Sequence, residues 1–204
     1  MKKELFITTY RGVFGYIKPW TAVRDEKTYS QQFLTPSIVI GMEKKLFPEL
    51  EQEVYDSPRR ILRHRLSYQG LTEQQEQTQT RGFNTEGKGK EKRWVRPRSI
   101  LTRGVMLYPN LQLAFGSRSD AEYATMQHLC LCRNEDLVLP EPDIVEVDVS
   151  EFDADRERFP GFELLFGSSH DDAFPVGYHR YQKGHPGMYG KLKIVGLPTE
   201  IRFD

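Results

Sequence analysis

Alternating and helical patterns of apolar residues divide residues 5–133 into six elements. Strands are predicted where β-branched and aromatic residues cluster, and helices where apolar residues recur every three or four positions. In chain order the predicted strands are 5–17, 59–68, 100–115 and 128–133, and the predicted helices are 36–47 and 118–127. This order of strand, helix, strand, strand, helix, strand is the split βαβ, ferredoxin-like pattern, whose sheet face is widely used to hold single-stranded RNA.

Glycine and proline refine the predicted strands. Gly12 and Gly15 interrupt the first strand, which indicates a bulge or a close approach by another backbone. Pro109 permits a bend within the third strand. We therefore expect strands that bend, and not straight ribbons.

The starts of both helices carry capping residues. Thr35 as N-cap with Pro36 in the first turn is typical of a helix start, and Ser119 or Asp120 should cap the second helix. Ser37 places a hydroxyl beside the free backbone N–H groups at the positive end of the first helix, where a phosphate can bind. Most helix N-termini bind only water, so this signal needs support from elsewhere in the chain.

The pattern predicts an α+β chain: a ferredoxin-like (RRM-like) domain with an inserted basic β-hairpin thumb and a small β-rich C-terminal region. We place the first domain at residues 1–138, with the thumb insertion at about 69–98, and the C-terminal region at 139–204. The composition changes after Pro140-Glu141-Pro142, which sets this boundary.

Charge is balanced overall but separated along the chain, with 29 basic and 29 acidic residues. Residues 59–103 hold twelve of the basic residues against four acidic ones, whereas residues 135–157 hold ten acidic residues against Arg156 alone. A chain with one basic and one acidic region suits a defined place in an assembly, with the acidic side facing protein or solvent.

Composition excludes several classes of protein. The content of 38% hydrophobic residues and the mean hydropathy of −0.61 indicate a soluble globular protein. No apolar run approaches the roughly 18 residues of a membrane span, and no targeting signal is visible. Two cysteines do not make a disulfide framework, so we expect a reduced, cytoplasmic setting without membrane contact.

The middle of the basic region is polar and rich in glycine, and it cannot bury enough apolar surface to order itself. We therefore expect a long, basic, mobile excursion between two strands that reaches for an anionic polymer. Trp94 lies among cations and Phe83 follows close on Arg81, which is the mixture that base stacking and phosphate neutralisation need. A solvated loop without a partner is the alternative.

A second cation–aromatic group follows the first strand, where Trp20 capping the core is an equal alternative. The predicted RNA-binding residues are Lys18, Trp20, Arg24, Thr35, Ser37, Arg63, Arg65, Arg81, Phe83, Lys88, Lys90, Lys92, Arg93, Trp94, Arg96 and Arg98. No catalytic residue and no cofactor is predicted.

His128, Cys130 and Cys132 alternate and would share one face of a strand. Three soft ligands on one face could hold zinc, but a fourth partner and a C-x-x-C turn are missing. The spacing therefore favours a half-buried strand face, and no metal site is predicted.

Four stretches together resemble the CRISPR-associated Cas-five family of the RAMP superfamily, in its type I-C branch or a related variant. They are the first strand and its exit at 12–19, the helix motif at 35–42, the arginine-rich entry to the third strand at 96–108, and the Gln/Gly/Lys segment at the position of the family's thumb. The resemblance implies an RNA-binding subunit of a CRISPR effector complex that caps the 5′ handle of a guide RNA. It also implies backbone RAMP subunits and a large subunit as partners, with target DNA as an indirect one.

Some members of that branch cleave precursor guide RNA with a Tyr, a Lys and a His. Phe47 stands where the family's helix-end Tyr aligns, and the helix near Arg118 has no Lys-His pair. His64 and His128 are the histidines near the base of the thumb, and neither has an evident partner in the sequence. We therefore predict a non-catalytic subunit, with a metal-independent endoribonuclease that processes precursor guide RNA as the alternative.

Overall fold

The computed structural model describes residues 4–19, 27–79, 82–179 and 181–199. Over these ranges the fold is α+β, with much antiparallel sheet and few helices. The strands are β1 (Glu4–Arg11), β2 (Phe14–Gly15), β3 (Lys27–Tyr29), β4 (Ile61–Ser67), β5 (Gly70–Gln79), β6 (Asn84–Glu86), β7 (Arg93–Val95), β8 (Arg98–Leu107), β9 (Asn110–Phe115), β10 (Leu129–Cys130), β11 (Leu137–Asp148), β12 (Gly161–Phe166), β13 (Phe174–Tyr178) and β14 (Gly187–Val195). The helices are α1 (Pro36–Leu46), α2 (Arg118–Thr125) and α3 (Val149–Ala154).

An eight-stranded antiparallel sheet in the order β10-β11-β1-β9-β4-β12-β14-β13 forms the centre of the molecule. Four neighbouring strands of this sheet lie in the spatial order β11, β1, β9, β4. Numbered by their order along the chain, they are the fourth, first, third and second of these four strands. Helix α1 lies between β1 and β4 along the chain, and α2 lies between β9 and β11. A smaller sheet holds β2, β8 and β3, and β5 also pairs with β8.

Helices cover both faces of the large sheet. Alternate residues of a strand point to opposite sides, so one strand can pack against helices on both faces. The residues of α1 and α2 in the largest buried cluster are Val39, Met42, Leu46, Ala121 and Ala124. Tyr10 of β1 joins this cluster, and its hydroxyl donates to the Ala124 carbonyl oxygen at 2.5 Å. On the other face, Leu5 and Ile7 of β1 pack with Phe152 of α3.

The first strand of the structure is shorter than the predicted strand at 5–17. β1 ends at Arg11, and the two residues of β2 follow after a break. The close approach expected at Gly12 is confirmed, because a Cβ atom there would lie 2.6 Å from the Leu137 carbonyl oxygen. Only glycine lets these two backbones come so near.

The prediction of one continuous third strand at 100–115 is wrong. β8 and β9 divide this stretch, and they lie in different sheets. The chain turns between them at Tyr108, whose φ of 47° lies in the left-handed region, and at Pro109. The bend expected at Pro109 is thus a change of sheet.

The predicted fourth strand, 128–133, is confirmed over Leu129–Cys130 and is wrong as the strand beside β1. Only the short β10 lies there, and the strand that pairs with β1 is β11. Its acidic residues concealed it, since outward carboxylates interrupt the apolar pattern while Val147 is buried. One of these carboxylates, Glu141, lies 2.8 Å from the guanidinium of Arg11 on the neighbouring strand.

The two helix starts differ in their caps. Thr35 is the N-cap residue of α1, as predicted, but its side chain makes no capping hydrogen bond. For α2, the prediction of Ser119 or Asp120 is wrong. The N-cap is Ser117, whose hydroxyl accepts a hydrogen bond from the backbone N–H of Asp120 at 3.2 Å.

Strands from both sides of residue 138 share the large sheet, because β11 joins β1 and β12 joins β4. The division into domains at 1–138 and 139–204 stays a prediction. Of the helices in the described ranges, none has the length and apolar content that crossing a membrane requires.

Replacing Leu113 with alanine should lower the free energy of unfolding by about 2–5 kcal/mol. Leu113 is fully buried at the centre of β9, so truncation leaves a cavity between the sheet and its helices. Urea unfolding checks the value. Leu139→Ala is the matched control, since Leu139 is 59% exposed and its loss should change stability by no more than about 0.5 kcal/mol. Equal effects of the two changes would contradict this packing.

Candidate nucleic-acid interface

A long β-hairpin stem connects the thumb to the large sheet. β5 and β8 pair over ten residues, from Gly70 opposite Leu107 to Gln79 opposite Arg98. This corrects the expectation that the polar segment cannot order itself. The ladder with β8 satisfies the N–H and C=O groups on one edge of β5, and β8 itself also pairs with β2 and β3, so β5 is ordered without an apolar face of its own.

Glu73 fixes the stem to β3. The Tyr29 hydroxyl donates to Glu73 Oε1 at 2.9 Å, and Lys27 forms an ion pair with the same oxygen. Hydrogen bonds from Lys27 and then Tyr29 hold the pKa of Glu73 below its usual value. The Tyr29 ring lies directly on Gly104 of β8, where a Cβ atom would be only 2.0 Å from the ring. Three strands are thereby joined at the base of the stem.

The thumb tip, which we define as residues 82–98, presents rings and cations to solvent. β6 and β7 pair here, with Thr85 opposite Trp94. Trp94 is 73% exposed and Phe83 is 52% exposed. The exposed cations of the tip are Lys88, Lys90, Lys92, Arg93, Arg96 and Arg98. Two acidic residues accompany these six cations, so the tip carries a net charge of +4.

Two contacts arrange the rings and cations of the tip. The Arg96 guanidinium lies 4.6 Å from the centre of the Phe83 ring, a cation–π contact. Arg93 lies 3.4 Å from Glu86 on the paired strand, where both side chains are largely exposed and the pair adds little stability. The tip therefore offers flat apolar surfaces beside positive charge, which suits unstacked bases and phosphates.

The other predicted RNA-binding residues are scattered. Lys18 and Ser37 are exposed, whereas Thr35 is buried, with 4% of its surface exposed. Trp20, Arg24 and Arg81 lie outside the described residues. The geometry therefore groups the tip residues and leaves Ser37 as the accessible member of the helix start.

Arg65 is a correction to the predicted set. Its side chain is fully buried, and its Nη1 atom donates to the carbonyl oxygens of Phe152 at 2.8 Å and Phe159 at 2.6 Å. The guanidinium also lies against the Phe152 ring, 3.8 Å from its centre. A strand that alternates Arg63, His64 and Arg65 looked like a basic surface, but it packs beneath α3.

Arg63 belongs to the same cluster, in which Arg65 is buried and Arg63 is partly buried. Its guanidinium donates to both carboxylate oxygens of Glu163, and its Nη2 atom donates to Asp153 Oδ1 at 2.8 Å. Lys193 Nζ donates to the same Asp153 oxygen at 2.7 Å. The sequence did not single out Glu163, which is 1% exposed and lies about a hundred residues away along the chain. We call Arg63, Arg65, Asp153, Glu163 and Lys193 the charge cluster.

The histidines considered for cleavage occupy different environments. His64 is buried, and burial lowers its pKa from 6.5 to about 4. Its Nε2 atom accepts a hydrogen bond from the Leu164 N–H at 3.4 Å, which fits a neutral ring. His128 is exposed and lines a shallow cleft with Lys45 and Cys130. Phe47 is buried in the core, with the Arg60 guanidinium 4.6 Å from its ring centre.

The His-Cys alternation places its polar side chains outward. Leu129 and Leu131 are buried, whereas His128 and Cys132 are exposed and Cys130 is intermediate. Throughout the described ranges, no group of three His, Cys, Asp or Glu side chains is arranged to hold a metal ion.

Asp56 and His179 are a pair that the sequence analysis missed. His179 Nδ1 lies 3.4 Å from Asp56 Oδ2 in a cleft between the start of β4 and the hairpin of β13 and β14. More than a hundred residues separate them, so no local pattern in the sequence could have joined them.

The chain matches no protein-family model and no curated protein sequence. Among solved structures, it is similar to a chain described as "CRISPR RNA-guided surveillance complex", with 11% sequence identity and a TM-score of 0.47. The match covers 95% of this chain and 91% of that chain. Similarity at this level does not establish a common function.

Stability should fall as the pH drops from about 4 to about 2, and Asp153→Asn should flatten this dependence. Hydrogen bonds from Arg63, reinforced by Lys193, lower the pKa of Asp153 from 3.8 to about 2. The ionised carboxylate thus contributes stability above its unfolded pKa, and this contribution is lost as the pH falls through the folded value.

The measurement is the free energy of urea unfolding at a series of pH values. Asp143→Asn, at an exposed position on β11, is the matched control and should keep the dependence of the unmodified chain. An Asp153→Asn variant with an undiminished acid dependence would remove this carboxylate as its cause.

Proposed function

We propose that this chain is an RNA-binding subunit of a CRISPR effector complex that caps the 5′ handle of the guide RNA. The thumb tip is the observation that carries the proposal. It combines exposed Trp94 and Phe83 rings with six exposed cations at the end of a braced stem. Single-stranded RNA is recognised by this combination of stacking on aromatic rings and neutralisation of phosphates.

The strand order supports a ferredoxin-like core for this subunit. Fourth, first, third and second is the order that a split βαβ pattern gives when β11, β1, β9 and β4 are counted along the chain. The thumb is then an insertion between the second and third core strands. The four stretches that resemble the Cas-five family lie in this part of the chain, and they support the assignment to a RAMP-type subunit.

We further propose that the acidic residues of β11 and the α3 region face protein partners or solvent. Several of them are already matched within the chain, as in the ion pair of Arg118 with Glu146 at 3.1 Å. A neutralised acidic face does not attract RNA, so it is suited to the backbone and large subunits. Guide RNA is then confined to the basic side of the protein.

We propose a non-catalytic role because two of the residues considered for cleavage, His64 and Phe47, are buried. His64 is buried and neutral, and buried Phe47 has no hydroxyl to orient a substrate. His128 is exposed, and it is the residue on which the alternative of an endoribonuclease depends.

Replacing Lys88, Lys90, Lys92 and Arg93 with alanine should weaken binding of single-stranded RNA. Each lost phosphate contact should also reduce the slope of log affinity against log salt concentration by about 0.7. Fluorescence anisotropy at several salt concentrations measures both quantities. An unchanged slope would remove the tip from the interface.

Two matched controls separate local contacts from total charge. Replacing Arg11, Arg118, Arg156 and Arg158 with alanine removes the same charge from exposed positions in and beside the acidic region, and it should leave the slope nearly unchanged. Trp94→Ala removes no charge, so it should weaken binding by about fivefold or more without changing the slope, because a base loses its stacking surface. If the control variant lost more RNA affinity than the tip variant, the binding surface would be assigned to the other face.

The protein should leave repeat RNA intact when the two are incubated in EDTA. Gel electrophoresis of labelled RNA checks this outcome. Specific cleavage by the unmodified chain that disappears in a His128→Ala variant would favour the endoribonuclease. Cleavage that persists in that variant points to a contaminating nuclease, and a mock purification serves as its control.

A further inference from the structure

A cleft lies between the loop that precedes β4 and the C-terminal hairpin of β13 and β14. Its volume is about 410 Å³, within the range of small-molecule sites. Phe166 and Met188 supply apolar walls, while Asp56, Ser168 and His179 supply polar groups. None of these residues belongs to the thumb, so the cleft is a second feature of the surface.

The polar pair in this cleft is incompletely satisfied. His179 Nδ1 is buried and has no hydrogen-bond partner among the described residues, although Asp56 Oδ2 lies 3.4 Å away. About a fifth of each side chain remains exposed, at 20% for His179 and 18% for Asp56. A buried polar atom without a hydrogen bond is costly, so these two groups are arranged for a further polar partner.

Aromatic rings line the cleft and its continuation. Tyr189 is 41% exposed in the wall of the cleft. A second pocket of about 170 Å³ shares Asp56 and Met188 with the cleft and adds Tyr178 and Tyr181, which are 64% and 58% exposed. These rings offer flat faces to a planar ligand.

The second pocket leads to groups that suit a phosphate. Ser37 and Lys44 line it, and Ser37 is exposed in the first turn of α1, where the helix dipole favours an anion. Lys44 Nζ donates to the carbonyl oxygens of Glu51 at 3.1 Å and Glu53 at 2.7 Å. Since an ammonium group has three donors, one remains for a ligand.

We propose that this cleft binds one unpaired nucleotide of an RNA strand, which deepens the function proposed above and rests on it. The base lies against Tyr189 and donates its exocyclic amino group to Asp56, and its phosphate lies toward Ser37 and Lys44. A carboxylate accepts hydrogen bonds only. Bases with an exocyclic amino group offer it two N–H donors, whereas uracil offers only its ring N3–H, so the amino bases are preferred.

The test measures binding of fluorescently labelled oligoadenylate and oligouridylate, each eight nucleotides long, to the full chain. The unmodified protein should bind the adenylate strand more tightly. Tyr189→Ala and Asp56→Ala should each weaken its binding by about fivefold or more. Asp56→Ala should also reduce the preference for adenine over uracil.

Matched variants protect the test against simple loss of structure. Tyr189→Phe keeps the ring and should bind as the unmodified chain does. Tyr123→Ala and Asp143→Ala change an exposed tyrosine on α2 and an exposed aspartate on β11, away from the cleft residues, and should leave affinity unchanged. Circular dichroism and thermal unfolding verify that each variant is folded.

Failure of the cleft and failure of the thumb give different results. Cleft variants that bind like the unmodified chain, together with a weakened tip variant, would overturn the cleft while the proposed function stands. If the unmodified chain binds neither strand, the proposed function fails, and calorimetric titration with adenosine monophosphate then tests the cleft alone. Adenosine monophosphate that binds when neither strand does, or that binds as tightly as the adenylate strand, would identify a free nucleotide as the occupant and overturn the link to RNA. If neither strand nor adenosine monophosphate binds, the cleft is overturned as a nucleotide site.

Discussion

The charge cluster is the main set of polar side-chain contacts that attaches the C-terminal strands to β4. β12 meets β4 through the single ladder pair of Phe162 with Leu66, so the backbone alone holds this junction weakly. Arg63 and Arg65 of β4 reach across it to Glu163 of β12 and to the carbonyl groups around α3. Burying such charges brings little net stability, but removing one partner leaves an uncompensated charge and costs about 3–5 kcal/mol. The cluster thus joins β4 to β12 through specific side-chain contacts, beside the ring contacts of His64 with Phe166 and Tyr68 with Phe162. Both walls of the Asp56–His179 cleft belong to elements on either side of this junction.

The same strand that carries the cluster leads directly into the thumb. β4 leaves the large sheet, the chain enters β5, and β8 returns it to β9 through the turn at Tyr108. A stem of ten paired residues spans roughly 34 Å at the usual rise of a β-strand, so the tip can stand well away from the sheet. Such a polar stem would be unstable as an isolated hairpin. The pairing of β8 with β2 and β3, and the contacts of Tyr29 and Lys27 with Glu73, give the stem the support that its own side chains lack.

Local signals in the sequence predicted local structure well, and long-range pairing poorly. Thr35 with Pro36, and the apolar spacing that follows, located α1 to within one residue, because capping and helical periodicity act over a few positions. The acidic β11 was missed because ion pairs such as Arg11 with Glu141 neutralise its charges only after folding. Arg65 was misread as an RNA contact for the same reason, since its acceptors lie almost ninety residues or more away along the chain. Exposed Trp94 was predictable, because a tryptophan within a glycine-rich polar segment has no core to enter.

Zero net charge is compatible with the proposed RNA binding because neutralisation is local. Carboxylates of β11 and α3 lie beside arginines of neighbouring elements, and Asp153 is enclosed by cations of the charge cluster. The six cations of the thumb tip share only two acidic residues, so positive potential is concentrated there. At physiological ionic strength, screening confines that potential to within about 8 Å. This charge distribution favours attraction of a polyanion to the tip over the protein as a whole, and the exposed aromatic rings of the tip lie beside those cations.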